Sequence, residues 1–313
     1  MTEPAIAPTI RGPLPPTAMM LLDILRRAAH PMALLAHRRA AREARHDGRG
    51  DLELQFYQAC FGNDYLHAGY FDPIPDDPET ISLASLKAAM QAYTDLVSRR
   101  VPDGARVLDV GCGTGGLIGQ LRARGIEASG LTPSSAHARY VRERHGCEVI
   151  ESPLEAIDLE RWRGRFDVLT SMESFHNVPL DRGVPVMREL LAPGGRWINI
   201  DYYRLKEQTR NRSGRLLVDY REAIARSGFT VIEEIDVSAN AAPSMAFAHL
   251  LASRIGLPML DFGIGRFFFK NPTLHYLLQD VAAKRRARIN LGSLDPAVLL
   301  AEKRYLLQVL APR

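Results

Sequence analysis

The chain has 313 residues, 46% hydrophobic and 24% charged, with a formal net charge of +4, ordinary values for a soluble globular protein with room for one large α/β domain and insertions. Its three cysteines, Cys60, Cys112 and Cys147, stand at no metal-ligand spacing and are too few for a disulfide framework, so a metal centre is not expected and a reducing cytoplasm is. No apolar run approaches the roughly 20 residues of a membrane-spanning helix, and the opening MTEPAIAPTI is acidic and proline-bearing, unlike a secretory leader.

In chain order, residues 1–50 hold eight Arg, no Lys and four acids, while the remainder is electrically balanced. The proline-rich stretch 1–17 reads as a disordered lead-in, and AMMLLDILRRAA and MALLAHRRAAREAR as two short helices parted by Pro31. This basic arm is either a patch for nucleic acid or an anionic membrane, or a solvated helix face; no aromatic residue is interleaved for base stacking, which favours the solvated face. The division is therefore a partly disordered helical arm over 1–50 and a main domain over 51–313. LELQFYQACFG reads as an amphipathic helix, NDYLHAGYFDP as an aromatic loop, and SLASLKAAMQAYTDLVSRR as a helix with Leu83, Leu86, Met90, Tyr93, Leu96 and Val97 at three- and four-residue spacing.

From RVLDV onward strands alternate with helices: GGLIGQLRARG, IEASGLT, PSSAHARYVRERHG, CEVIESP, FDVLTSMES, then the helix LDRGVPVMRELLAPGG ending on a proline–glycine turn, and RWINIDYYR. SGRLLVDYREAIARSGF and TVIEEIDVS add a helix and a strand, and KRYLLQVLA closes the chain. The fold class is α/β, a doubly wound, mostly parallel seven-stranded Rossmann-like sheet. Residues 240–302 break the rhythm with apolar helical sequence and are expected to form a lid over the binding edge of the sheet. At least one ring of the Phe267–Phe269 run is expected in the core; the alternative is rings over a substrate pocket, where they would stabilise a cation.

VLDVGCGTGG, residues 107–116, is a strand entering a glycine-rich turn. Such a turn lets backbone approach a cofactor closely, at the strand end where open α/β sheets bind ligands. Gly111, Gly113 and Gly116 satisfy GxGxxG, but two features oppose a dinucleotide. The residue two before the first glycine is Asp109, whose charge repels a pyrophosphate and suits a cofactor carrying an ammonium and a sulfonium. An acid for the ribose is expected about 20 residues on, where Leu131 and Thr132 stand instead.

With those residues in place, the sequence resembles class I S-adenosylmethionine-dependent methyltransferases. VLDVGCGTGG is similar to their first motif, FDVLTSMESFHNVP to their fourth strand and following loop, and RELLAPGGRWINID to the helix, turn and fifth strand. FYQACFGNDYLHAGYFDP and SGLTPSS resemble the branch of cyclopropane-fatty-acid synthases and tocopherol, sterol and prenyl C-methyltransferases. The resemblance implies S-adenosyl-L-methionine as cofactor and S-adenosyl-L-homocysteine as product. It places Gly111, Cys112 and Gly113 along the methionine half, with Asp109 beneath. Thr132, Pro133 and His137 fall at the ribose and adenine, and Ser152, Pro153 and Leu154 beside the adenine. Ser171 and Glu173 face the methyl group, and Leu66, His67 and Tyr70 close over the cofactor. Thr132 and Ser152 stand where many relatives carry carboxylates. Cys112 is read as a small space-filler rather than a nucleophile, having no His partner nearby in sequence.

Glu173 and His176 are the candidate catalytic groups, placed to take a proton or neutralise a developing cation; the alternative is a loop whose polar side chains face solvent or backbone. The expected reaction is in-line methyl transfer to a small, largely apolar acceptor of lipid, isoprenoid or natural-product type, with C-methylation slightly favoured over O- or N-methylation. An RNA methyltransferase ranks lower, because the core is electrically balanced and SMESFHNVP stands where a base-flipping NPPY-type motif would. A non-catalytic cofactor-binding protein and an NAD-dependent oxidoreductase rank below that. The Arg-rich arm is consistent with peripheral membrane contact or a homodimer.

Overall fold

A computed structural model describes residue 26 and residues 29–36, 45–289 and 291–313. The first expected helix and most of the basic arm lie outside the described residues. Helix α1 (Arg45–Cys60) runs across the expected boundary at residue 50. A loop then leads to α2 (Leu83–Ser98), whose start is fixed by a reciprocal pair: Ser82 accepts from the Ser85 amide, and the Ser85 side chain accepts from the Ser82 amide. Leu86, Met90, Tyr93 and Val97 on α2 are buried, as their spacing predicts.

The sheet holds β1 (Arg106–Val110), β2 (Glu127–Thr132), β3 (Val149–Glu151), β4 (Phe166–Met172), β5 (Leu191–Arg204), a two-residue β6 (Arg215–Leu216), β7 (Phe229–Asp236) and β8 (Lys303–Pro312). Their order is β3-β2-β1-β4-β5-β8-β7, with β6 beside β5. Strands β1 to β6 pair in parallel, and β8 runs antiparallel to both β5 and β7. The seven expected strands are all present; the addition is β6, a strand too short to carry a period. The order of connection reverses between β1 and β4, so the carboxyl ends of those two strands flank the crevice where such sheets bind ligands.

Helices α3 (Gly116–Ala123), α4 (Ser135–His145), α5 (Leu180–Leu190) and α6 (Leu217–Arg226) cover the two faces. Alternate residues of each strand enter opposite cores. Val107, Val168 and Ile198 meet Ile118 and Leu121 of α3 and Val141 of α4. Leu108, Leu169 and Trp197 meet Met187 of α5 and Tyr220 of α6. Both faces being covered is why β1 and β4 read as near-continuous apolar runs rather than alternating ones. Helix α5 stops at Leu190, earlier than the expected proline–glycine turn, and 191–195 already belong to β5.

Helix α7 (Ser238–Leu251) is clamped to the loop after α1. The Gly69 amide donates to Ser244 Oγ at 2.8 Å, and Asn240 Nδ2 donates to the Phe71 carbonyl at 2.8 Å. Phe247 joins Phe71, Ile81, Leu86, Ala89 and Met90 in a third, small core. Through a π-helical turn (Ala252–Gly256) the helix continues into α8 (Leu257–Lys270), followed by α9 (Pro272–Ala287) and α10 (Pro296–Glu302). Here two expectations are corrected. No ring of the Phe267–Phe269 run is buried: Phe269 is 89% exposed, and α8 has no buried residue. Nor does any residue of 240–302 line the cleft at the sheet edge. The apolar side chains of α8 and α9 stay mostly exposed instead of folding back on the sheet.

Candidate functional site

The carboxyl ends of β1, β2 and β4 open into a cleft of about 870 Å³. The turn after β1 forms its floor. Gly111, Gly113 and Gly115 all have positive φ, at 76°, 52° and 80°, which is costly for residues with a Cβ. At Gly111 space is also limiting, since a Cβ there would lie 2.4 Å from Ser174 Cβ. Ser174 in turn donates its hydroxyl to the Val110 carbonyl at 2.6 Å, binding the loop after β4 to the end of β1. Gly111→Ala is therefore expected to cost roughly 1–3 kcal/mol of stability through strain and overpacking. Adding Ser174→Gly removes the clash together with the tie to Val110, so it should return less than the part due to the clash. Thermal denaturation of the single and double variants checks both.

Asp109 sits beneath the turn, 4% exposed. Its β1–β4 register partner is Thr170, whose hydroxyl donates to Asp109 Oδ1 at 2.8 Å. Burial pushes the Asp109 carboxyl up to about 7, only partly opposed by that hydrogen bond. A buried carboxyl with one neutral partner has unused capacity to accept from a cation. Cys112 is buried and its thiol is pushed well above its ordinary value, first by burial and then by the Asp109 charge, so it is not a thiolate and fills space, its Sγ 2.7 Å from where a Cβ at Gly130 would lie.

The segment after α1 straps across this floor. The Asp64 carbonyl accepts from Thr114 Oγ1 at 2.8 Å, while its carboxylate accepts from the Tyr140 hydroxyl at 2.7 Å and from Arg144 Nε at 3.2 Å. Leu66 then lies over Gly113, 3.1 Å from where a Cβ would be. His67 also borders the cleft, but both of its ring nitrogens are engaged, with the Ala68 carbonyl at 2.7 Å and Thr94 Oγ1 at 2.9 Å. Its ring stacks on Tyr93 at 4.9 Å between centroids, and burial brings its pKa down to about 4.

The structure brings together most of the residues singled out in the sequence. Asp109, Gly111, Cys112 and Gly113 line the floor, Thr132, Pro133 and His137 one wall, and Ser152, Pro153 and Leu154 its far end. Leu66 and His67 form the strap and Glu173 the opposite lip. Three residues fall elsewhere. Tyr70 packs against the core beside α2, its amide donating to the Ala89 carbonyl at 2.8 Å. Ser171 is buried below the sheet edge, donating to Asn199 Oδ1 at 2.7 Å and accepting from Trp197 Nε1 at 2.8 Å. Strand alternation explains this: Thr170 and Ser171 point to opposite faces, and only Thr170 faces Asp109. Ser171→Ala is accordingly expected to cost about 1–3 kcal/mol, because two buried polar groups lose a partner, and to leave cofactor affinity unchanged. Denaturant unfolding alongside a binding titration distinguishes this from a cofactor contact.

The third is His176, which lies behind the lip rather than on the cleft wall. Its Nδ1 is 2.8 Å from Asp201 Oδ1, and its amide donates to Asp201 Oδ2 at 2.9 Å. Burial lowers its basicity, but the hydrogen bond and charge of Asp201, with Glu173 adding to them, prevail and leave the pKa raised. The Tyr202 hydroxyl is 3.3 Å from Nε2.

Glu173 is the one non-glycine residue with positive φ among the described residues, at 46°. Backbone held in that region stores strain of about 1–3 kcal/mol and is concentrated at functional sites. Its Oε1 accepts from the Ala68 amide at 3.0 Å, which joins the lip to the strap. Burial pushes its carboxyl up to about 7; the Ala68 hydrogen bond opposes this and the nearby Asp201 charge adds to it.

Asp64, Thr114, Asn177 and Asp201 were missed by sequence reading. Asp201 had a usable signal: it is the acid at the carboxyl end of the strand expected next to β4. Asp64 had none, since a loop acid has no period.

Residues 107–195 match the model of the methyltransferase domain family. The sheet that contains them has the fold of class I S-adenosylmethionine-dependent methyltransferases. The ubiquinone biosynthesis O-methyltransferase of Xylella fastidiosa is 36% identical over 140 residues, covering 41% of this chain and 52% of that protein. The chain thus spans about half the length of the curated relatives it matches, or less. Among solved structures, the [4+2]-cyclase SpnF aligns with a TM-score of 0.60 at 19% identity, covering 84% of this chain and 93% of its own. A geranyl diphosphate C-methyltransferase from Streptomyces coelicolor A3(2), solved with S-adenosyl-L-homocysteine, aligns with a TM-score of 0.59 at 14% identity, covering 83% and 92%.

The cleft fits the cofactor of that fold. The glycine turn leaves open space that side chains would fill, and a buried acid lies under it to meet an ammonium.

Proposed function

We propose that this protein transfers a methyl group from S-adenosyl-L-methionine to a small, largely apolar acceptor of lipid, isoprenoid or natural-product type. C-methylation is slightly favoured, with O- or N-methylation of a secondary metabolite as the alternative. One observation carries the reading: buried Asp109 and strained, half-buried Glu173 stand at the carboxyl ends of adjacent strands, on either side of one glycine-floored cleft.

When bound, the cofactor supplies an electrophilic methyl on a sulfonium. Asp109 would hold its ammonium end, Gly111 to Gly113 would admit its chain against the backbone, and Thr132, Pro133 and His137 would border the nucleoside. Leu66 and the strap exclude water from above. Glu173 takes the proton that the acceptor sheds, and its raised pKa matches that task near neutral pH. His176 is a positioning group for the same lip, its ring fixed by Asp201.

The apolar character of the acceptor is supported by the C-methylating branch the sequence resembles and by the geranyl substrate of one structural neighbour. The organisation proposed with this function is an N-terminal arm over 1–50 and a main domain over 51–313, with α1 spanning their junction. Contact of that arm with a membrane or a second subunit rests on its eight arginines. Incubation with methyl-labelled cofactor and a panel of isoprenoid, lipid and phenolic acceptors tests the assignment. Label should enter solvent-extractable products, and label only in polar or RNA fractions would refute it.

A further inference from the structure

Beyond the π-helical turn, α8 and α9 leave the body of the protein as an antiparallel hairpin. Phe268 meets His275 near the tip at 5.0 Å between ring centroids, and Arg286 pairs with Asp261 at 2.7 Å nearer the base. The hairpin buries almost nothing: no residue of α8, and of α9 only Leu274. Met259, Phe262, Phe269 and Tyr276 are 67%, 69%, 89% and 78% exposed. Between the helices runs a groove of about 490 Å³ with an almost wholly apolar lining that includes Ile264, Phe267 and Val281. Large apolar side chains exposed on more than one side of a two-helix element are costly in water and mark an interaction surface.

Charge selects the occupant. Residues 252–289 carry seven Lys and Arg against two acids; with Arg286 paired to Asp261 and Arg254 to Glu79, five cations remain against one acid, Asp280. Lys270 stands at the tip, Arg266 one turn back, and Lys284, Arg285 and Arg288 at the base. A second copy would bring the same excess of positive charge against this one. An anionic bilayer offers negative headgroups and an apolar layer together, and long cationic side chains reach the headgroups while their neighbours enter the acyl region. No helix among the described residues is long and apolar enough to cross a membrane, so the element lies at the surface.

We propose that the α8–α9 hairpin docks the protein on anionic lipid bilayers, its phenylalanines among the acyl chains and its cations at the phosphates. This stands independently of the methyl-transfer reading. The test is co-sedimentation of the full chain with vesicles of phosphatidylcholine alone or mixed with phosphatidylglycerol, at low and high salt. Wild type should pellet with the mixed vesicles, less so at high salt. Phe262→Asp/Phe269→Asp should weaken partitioning by about tenfold or more, with the circular dichroism spectrum and melting temperature unchanged, which shows the fold intact. Equal partitioning of wild type and variant, or no partitioning of wild type, overturns the proposal. So does a wild-type dimer in solution that the variant dissociates, without vesicle binding, which would assign the hairpin to a second copy.

Discussion

Asp109→Asn is expected to abolish most cofactor binding while leaving a folded protein. The substitution keeps the shape of the side chain and its contact with Thr170, and removes only the charge that a bound ammonium would meet. Truncating one partner of a buried, hydrogen-bonded charge pair costs about 2–5 kcal/mol, which corresponds to at least roughly thirtyfold in affinity. The pH dependence gives a second signature. The folded carboxyl has a pKa of about 7, far above that of an unfolded aspartate near 4. Between those values the unfolded chain has already lost the proton that the native state retains. Asp109 therefore lowers the stability of the ligand-free protein progressively as pH rises from about 4 to about 7, and Asn should remove that loss. Cofactor affinity behaves oppositely in wild type, rising with pH up to about 7 as the carboxylate forms, and this dependence should flatten in the variant. Glu173 adds a loss of stability in the same pH window, and His67, neutral and buried with a pKa of about 4, an opposing gain. The difference between wild type and Asp109→Asn isolates the single group. Titration calorimetry and thermal denaturation from pH 5 to 8 would measure both, and an unchanged affinity would exclude Asp109 from the cofactor site.

Glu173→Gln should separate chemistry from binding. Glutamine can still accept from the Ala68 amide, so the lip and strap stay joined, but it cannot take a proton. Loss of a general base typically costs 10²–10⁴-fold in rate, and that loss is expected in turnover with cofactor affinity within about threefold of wild type. In wild type the rate should rise with pH toward a plateau above about 7, following the Glu173 carboxylate, and the Gln variant should lose that limb. Full turnover by Glu173→Gln would remove the acid/base role and leave Glu173 as a structural tie. Glu173→Gly serves as the control for backbone strain, because it relieves the positive φ as well as deleting the carboxyl. It also removes the tie to the Ala68 amide, so its stability relative to Gln reports the strain relieved less that hydrogen bond, and it should remain as inactive.

The sheet and the floor of the cleft were legible because they rest on local rules. VLDVGCGTGG announces a buried strand and a turn requiring positive φ, and Asp109 within it carries the sign of the expected ligand. The helix–strand alternation then fixes which strand ends converge. What depends on alternation within a strand was harder: Ser171 and Glu173 are two residues apart, but the chain leaves the strand at Met172 and enters positive φ at Glu173, so one side chain is buried under the sheet and the other reaches the lip. Contacts between distant segments, such as Asp64 on Thr114 or Asp201 on His176, have no sequence period at all. The insertion 240–302 misled most. Its apolar composition suggests burial over the site, whereas α7 and α10 pack on the body away from the cleft and α8 and α9 keep most of their apolar side chains exposed.

We propose that the glycine-floored cleft selects a cationic methyl donor through Asp109. Titration of the full chain at pH 8 with S-adenosyl-L-methionine, S-adenosyl-L-homocysteine and NAD tests it most directly. Saturable one-site binding of both adenosyl ligands, lost in Asp109→Asn, with no heat from NAD is the predicted result. Binding of NAD to wild type, or adenosyl-ligand binding indifferent to Asp109, would contradict it.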